Sequence, residues 1–315
     1  IKQLKYWKNE KNSNFFEADL LLALESLKKK KFEDAKKRLL LLEKFKDDGT
    51  YEYIILHTLG SYNELFLNKK IIKEEEDFGN LSLITKAFQN CYLNSERSKY
   101  YFSNLINSLQ GDYSRYKFFY LSYLIDNHEY DLVTEISSLI DPLNSTLLIN
   151  QSKRWVDDLD YKLFSEYFSC SSEADIISEF FFLIANLYSS QNKYEKSNFY
   201  LNISNYLNPK FYFNSSLTAE NYLINNNFDL AEKYLKKFNK KNKVYYWYSL
   251  KKKEKIISNK QDKETSLKYI EAKFKEFKKP SSKIIFDMAN IYKNHKKCDM
   301  AIKLYSIVLK QIKET

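Results

Sequence analysis

Between Ser178 and Phe238 the succession of apolar and polar positions runs through one cycle twice. Phe181, Ile184, Ala185, Tyr188, Ser197, Leu201 and Ser204 are matched by Ser215, Thr218, Ala219, Tyr222, Ala231, Leu235 and Phe238, each 34 residues later. In both copies an apolar stripe at helical spacing carries a Tyr three residues after an Ala. A short polar turn follows (Gln191, Asn192, Lys193; Asn225, Asn226, Asn227), then a second amphipathic stripe. The pattern predicts a helix, a turn and a helix, and its fixed period marks stacked repeats.

The cycle recurs elsewhere with varying clarity. From Phe16 to Phe45 it is sharp, with Leu22, Ala23 and Ser26 on a first helix, a turn at Lys28 to Lys31, and Ala35, Leu39 and Leu42 on a second. Tyr51 to Leu67 reads as a further amphipathic helix, and the acidic run Glu74 to Asp77 as an exposed connection closing into Gly79. Between Asn80 and Leu109 Lys86 and Gln89 stand where small and aromatic residues are expected. Leu121, Leu124, Val133 and Ile140 restore the pattern around a turn at Asp126 to Tyr130, before Asp141 and Pro142 stop it. Leu143 to Ser172 reads as a degenerate repeat or an irregular insert. After Phe238 two more copies follow at steps of 35 residues. One carries Leu250, Ile257, Ser266 and Ile270; the other carries Ile285, Met288, Ala289, Tyr292, Ala301, Tyr305 and Val308. Residues 1–14, with Trp7, read as half a repeat. The expected division is a repeat region over 1–50, degenerate helical repeats over 51–175 and four repeats over 176–315, in one continuous superhelix of about six to eight helix pairs.

These residues resemble the tetratricopeptide repeat family, which places small residues at the eighth and twentieth positions, an aromatic at the eleventh and Pro at the thirty-second. Ala185, Ser197, Tyr188 and Pro209 fit those places. The order of strong, weak and strong repeats is also similar to that of long tetratricopeptide proteins of unknown role in alphaproteobacteria. The resemblance implies an all-α, right-handed α-solenoid whose first helices line a concave groove. Its groove positions map onto Glu179, Phe182 and Asn186; Phe213, Ser216 and Glu220; Tyr248, Lys251 and Lys255; and Lys283, Phe286, Asn290 and Lys293. Chaperone-binding members clamp a C-terminal carboxylate with Lys and Asn. Here Asn186 matches that clamp, whereas Phe182 and Leu217 occupy its other two places, which argues against it.

Composition agrees with an all-α class. Four Gly and three Pro leave little punctuation for hairpins or doubly wound sheets, while 27 Tyr and 23 Phe supply large rings for helix interfaces. Small residues at the helix crossings have a steric purpose, since a bulky side chain there would force the backbones apart. Cys91, Cys170 and Cys298 form no C-x-x-C and suggest neither a disulfide framework nor a zinc site. No apolar run approaches the roughly 18 residues of a membrane span. The chain opens on Ile1, so the compartment stays open between cytoplasm and, if a signal peptide preceded Ile1, periplasm or export.

Candidate chemistry is thin. His57, His128 and His295 are scattered; His295 and Cys298 form the only close His–Cys pair and read as turn residues. Asp157, Asp158 and Asp160 lack a Gly-bearing calcium loop and read as a solvated acidic turn. Phosphate-loop and nucleophile-elbow motifs are missing from the sequence. The expectation is a non-enzyme without cofactor or metal.

Charge is uneven: Lys236 to Lys283 holds 17 Lys against Glu254, Asp262, Glu264, Glu271 and Glu276, more than the whole net charge of +10. The expected function is a protein-interaction scaffold holding a protein or peptide segment, acidic in character, steered by those lysines. The first alternative is nucleic-acid or polyanion binding by the basic stretch, with Tyr245, Tyr246, Trp247 and Tyr248 as stacking rings. A helix buries several of those rings, which favours a core role. The second alternative is a helical module of a larger enzyme.

Overall fold

The computed structural model describes residues 15–71, 76–108 and 112–313. The half repeat expected at residues 1–14, Leu109, and Glu74 and Glu75 of the acidic run lie outside them. All regular structure among the described residues is helical. In chain order the helices are α1 (Phe16–Lys28), α2 (Phe32–Leu42), α3 (Thr50–Asn68), α4 (Asn80–Tyr92), α5 (Arg97–Ile106) and α6 (Tyr116–Asp126). There follow α7 (Tyr130–Ser138), α8 (Leu147–Asp157), α9 (Lys162–Tyr167), α10 (Glu173–Ser190), α11 (Tyr194–Leu207) and α12 (Ser215–Ile224). The last five are α13 (Phe228–Leu235), α14 (Lys243–Lys260), α15 (Lys263–Phe274), α16 (Ser282–Asn294) and α17 (Cys298–Lys313). None of the described helices is long and apolar enough to cross a membrane.

Six helical hairpins pair consecutive helices: α1 with α2, α4 with α5, α10 with α11, α12 with α13, α14 with α15, and α16 with α17. Five of their turns share a mechanism. Lys30, Asn94, Asn192, Asn226 and Lys296 all sit in the left-handed region, with φ between 50° and 61°. The next amide reaches back five residues, as in Lys31 N–H to Ser26 O at 2.9 Å, Asn227 to Tyr222 at 2.8 Å and Lys297 to Tyr292 at 2.9 Å. These bonds satisfy carbonyls that a helix end leaves unpaired and fix the angle at which the next helix starts. The small residues of the repeat lie where the helices close: Ala23, Ala35, Ala185, Ser197, Ala219, Ala231, Ser266 and Ala289 have no accessible surface.

The chain divides into two units. The first runs to Asn127 and resumes over Phe164–Asn214; the second comprises His128–Leu163 and everything from Ser215. Each contains a packing that a nearest-neighbour array lacks. In the first, α10 lies against α1 and α3; in the second, α8, from the stretch without clear repeat register, lies against α14.

The first unit is centred on rings. Phe88 meets Phe102, Tyr116, Phe119 and Phe168, while Phe118 meets Phe164 and Phe211, with centroids 5.1–6.2 Å apart. Most of these pairs are edge-to-face, the arrangement that ring quadrupoles favour, and burying each ring contributes about 1.5–3 kcal/mol. This packing brings α4 against the segment after α9, and there the expectation about cysteine fails: Cys91 and Cys170 form a disulfide with Cα atoms 5.5 Å apart. The sequence separation of 79 hid the pair. The edge-to-face contact of Phe88 with Phe168, three and two residues away, is what aligns it. Cys298 is an exposed free thiol.

Candidate functional site

Expected groove positions fall in both units, and the structure uses them unequally. In the first unit Glu179 is buried, and Arg115 grips it with two parallel bonds, Nε to Oε1 at 2.6 Å and Nη2 to Oε2 at 2.7 Å. The same guanidinium donates to Asn214 Oδ1 at 2.8 Å and stacks 3.7 Å above the Phe182 ring. Burial pushes the Glu179 carboxyl up, and the Arg115 charge and hydrogen bonds pull against it. Glu179 and Phe182 thus serve an internal clamp, and Phe213 is core; only Asn186 of the four is exposed. The placement of Glu179 and Phe213 on a ligand-facing surface is corrected accordingly. Helix α10 turns Glu179 inward, where its carboxylate is paired to Arg115, since a free one at that depth would be far costlier; Phe213, in the short 3-10 turn before α12, packs on Tyr167 and Phe211.

In the second unit the positions converge more usefully. Helix α14 reads VYYWYSLKKKEKII, and its Tyr245, Trp247, Tyr248 and Leu250 are buried, leaving Tyr246 half-buried, so the basic stretch presents no row of free rings. Trp247 is fixed against Phe274 and Phe277, with centroids 6.0 and 5.6 Å away. Its Nε1–H donates to Asp287 Oδ2 at 3.1 Å, and Lys251, one turn later, donates to the same oxygen at 2.7 Å. Lys283, one turn before Asp287 on α16, pairs with Oδ1 at 3.4 Å and donates to Leu143 O at 2.7 Å. Burial lowers the pKa of the Lys251 ammonium, with Asp287 opposing that shift.

Around this point α8, α14 and α16 enclose a cleft of about 130 Å³. Lys153, Arg154, Lys251 and Lys283 line it with Asp157 and Asp287, so cations exceed anions among its charged walls. Lys153 reaches Asp157 at 3.2 Å and Arg154 reaches Asp158 at 3.4 Å, both half-exposed helical pairs of little strength. Trp247 and Tyr248 supply the apolar floor, and Asn150 is held by Ser145 O at 2.7 Å. A carboxylate entering here would meet the ammonium groups of Lys153, Lys251 and Lys283 and the Arg154 guanidinium beside an aromatic surface.

Tyr248, Lys251 and Lys283 were among the expected positions and all line this cleft. Ser216 and Glu220 accept the Tyr248 hydroxyl at 3.2 and 2.7 Å, and Lys252 pairs with Glu220 at 2.6 Å, so they brace the floor. Lys255 and Lys293 are exposed; Phe286 and Asn290 meet Tyr305 of α17. Missed by sequence reasoning were Trp247 as a donor, Asp287, Lys153 and Arg154. Asp287 left a signal, since it stands four residues after Lys283 on one helix face; Lys153 and Arg154 left none, because α8 has no repeat register.

Two other groupings differ in kind. His295 Nε2 lies 3.0 Å from Glu254 Oε1, which also accepts Ser266 Oγ–H at 3.1 Å, so this histidine, which ends α16, is engaged with α14 through a carboxylate that also holds α15. Asp157, Asp158 and Asp160 are exposed. Among the described residues no three His, Cys, Asp or Glu side chains gather as a metal ion would need. Compared with protein-family models, curated proteins and solved structures, the chain matches none.

Proposed function

We propose that this chain is a protein-binding scaffold whose hairpins are tetratricopeptide-like repeats of α-solenoid type, and that it performs no catalysis. In this reading the cleft of α8, α14 and α16 takes an acidic side chain of an extended partner segment. One observation carries it: two lysines and an indole N–H converge on a single carboxylate at the base of a cleft rimmed by Lys153 and Arg154. That donor set is matched to an oxyanion, and the rim cations steer a partner of opposite charge toward it. The burial of Tyr245, Trp247 and Tyr248 supports a protein ligand over a single-stranded nucleic acid, which needs free rings to stack on.

The test is fluorescence anisotropy with a labelled Asp/Glu-rich peptide and a single-stranded oligonucleotide of equal charge. The peptide is expected to bind, and Arg154→Glu with Lys283→Glu to weaken it about tenfold or more. Preference for the oligonucleotide, with affinity falling steeply as salt rises, would transfer the function to polyanion binding.

A further inference from the structure

The cleft of α8, α14 and α16 is more cationic than a single carboxylate requires. Its walls carry Lys153, Arg154, Lys251 and Lys283 against Asp157 and Asp287, an excess of two positive charges. Asp158, which pairs with Arg154, stands outside those walls, and a half-exposed helical pair of that kind gives way to a stronger anion. One side-chain carboxylate would neutralise half of the excess. The donors lead to the same conclusion. An ammonium group has three N–H bonds. Among the described residues Lys251 gives one to Asp287 Oδ2, while Lys283 meets Asp287 Oδ1 and Leu143 O, so each has capacity left. Arg154 reaches Asp158 through Nε, which leaves its two Nη groups. These donors belong to three different helices. A carboxylate offers two oxygens with their lone pairs in one plane, whereas a phosphate monoester offers three strong acceptor oxygens and a charge of about −1.5 to −2.

The approach to the cleft is basic as well. Val244 and Ser281 both line it, and each is where a lysine-bearing loop joins the wall. Before Val244 come Lys240, Lys241 and Lys243; before Ser281 come Lys275, Lys278 and Lys279; all six are exposed. The loops lie side by side, since Phe277 packs on Tyr246 and Trp247 with centroids 6.1 and 5.6 Å away, and Lys240 reaches Glu276 across them at 2.9 Å. A field of one sign at the mouth raises the local concentration of a multiply charged anion. Among the described residues no large hydrophobic side chain from 225 to 299 is exposed, so this approach has nothing to insert into a bilayer and a lipid headgroup is a poor candidate.

We infer that the group received by this cleft is a phosphomonoester carried on a side chain of the partner segment, its dianion held by Arg154, Lys251 and Lys283. The inference rests on the reading of the cleft as the seat of an acidic side chain, and it names the acid. Arg154 supplies the planar fork that grips two phosphate oxygens at once, and the lysines act as point charges on the remainder.

The experiment titrates the full chain, by anisotropy, into three labelled Asp/Glu-bearing peptides that differ only at a central Ser, Glu or phosphoserine. At pH 7.5 the phosphoserine peptide is expected to bind about tenfold tighter than the Glu peptide, or better. Between pH 7.5 and 5 its affinity should fall about tenfold, because the phosphate takes up a proton near pH 6 and becomes a monoanion. The Glu peptide, ionising near pH 4.3, should change by less than about twofold. Lys153, Arg154 and Asp157 of α8, Lys251 of α14, Lys283 and Asp287 of α16, and the loop lysines with Glu276 face both peptides alike, so the difference between the two profiles belongs to the phosphate. Arg154→Gln should cost the phosphoserine peptide about tenfold and the Glu peptide less, with an unchanged circular dichroism spectrum, since the ion pair it removes is a weak one. Equal affinity for Glu and phosphoserine at pH 7.5 overturns the inference and leaves the cleft a carboxylate site. A phosphoserine preference that survives Arg154→Gln in full overturns it too, because the phosphate would then lie elsewhere. Inorganic phosphate that displaces the phosphoserine peptide at concentrations near that peptide's own Kd would make a free phosphate the ligand, and the assignment to a partner segment would fall. If none of the three peptides binds, the reading of the cleft fails and the inference with it.

Discussion

Ten of the twelve largest fully buried side chains belong to the first unit, from Tyr62 and Phe66 to Phe181 and Phe213; the second has Trp155 and Trp247. Both units are made of the same hairpins with the same sealed alanines, yet the first closes its polar groups inside and the second leaves them at a cleft. Arg115 illustrates the first outcome, a cation held between Glu179, Asn214 and the Phe182 ring. Lys251 illustrates the second, a cation sharing Asp287 with Trp247 and Lys283 on the wall of an opening. The hairpin pattern alone therefore does not decide whether a unit encloses its charged groups or leaves them at an opening. What decides is whether rings or lysines fill the positions flanking the sealed small residues.

The largest test of this contrast is to remove the cation from each pair. Arg115→Met strands the buried Glu179 and should cost about 3–5 kcal/mol in urea unfolding. Lys251→Met leaves Asp287 with Trp247 and Lys283 and should cost no more than about 1 kcal/mol. Equal losses would show that the second unit's pair is as enclosed as the first's.

The disulfide sharpens the contrast next. Cys91→Ser with Cys170→Ser should lower stability by roughly 2–4 kcal/mol, and hydrogen exchange should report the loss in α4 and around Cys170 while the α14–α17 amides keep their protection. Alkylation of the native chain under denaturing, non-reducing conditions should label Cys298 alone, and after reduction all three thiols. Labelling of three thiols before reduction would remove the cross-link from the account of the first unit.

The hairpins were legible in the sequence because their signal is local and steric. A helix crossing tolerates only a small residue, and Ala185, Ser197, Ala219 and Ala231 announce that at fixed spacing. The turns were legible too: Asn192 and Asn226 are among the residue types that adopt left-handed backbone most readily. The clamp, the disulfide and half of the cleft were not, since each joins residues whose meeting depends on how hairpins stack. Arg115 lies 64 residues from Glu179, and Arg154 lies on a helix whose sequence carries no repeat register. Glu179 shows the limit most clearly. Its position in the repeat marked it for the groove, while a cation supplied from the residue before α6, Arg115, drew it inside.

The smallest effect is a pH dependence specific to the first unit. Asp175, in the first turn of α10, is mostly buried and has its pKa pushed up to about 6, chiefly by loss of hydration; the Ser169 N–H, 3.0 Å from its Oδ2, opposes that shift. An unfolded Asp releases its proton near pH 3.8. Between that pH and about 6 the folded chain retains a proton that the unfolded chain has lost, so stability must fall as pH rises through this window and level off above it. Because the carboxyl keeps some access to water, the fall should be on the order of 1 kcal/mol. Asp175→Asn fixes the neutral state and should remove it, leaving the difference between variant and native chain flat above pH 6 and sloped below. An unchanged slope in the variant would mean that Asp175 is solvated in the folded chain, and that the first unit is less closed at the start of α10 than its aromatic core.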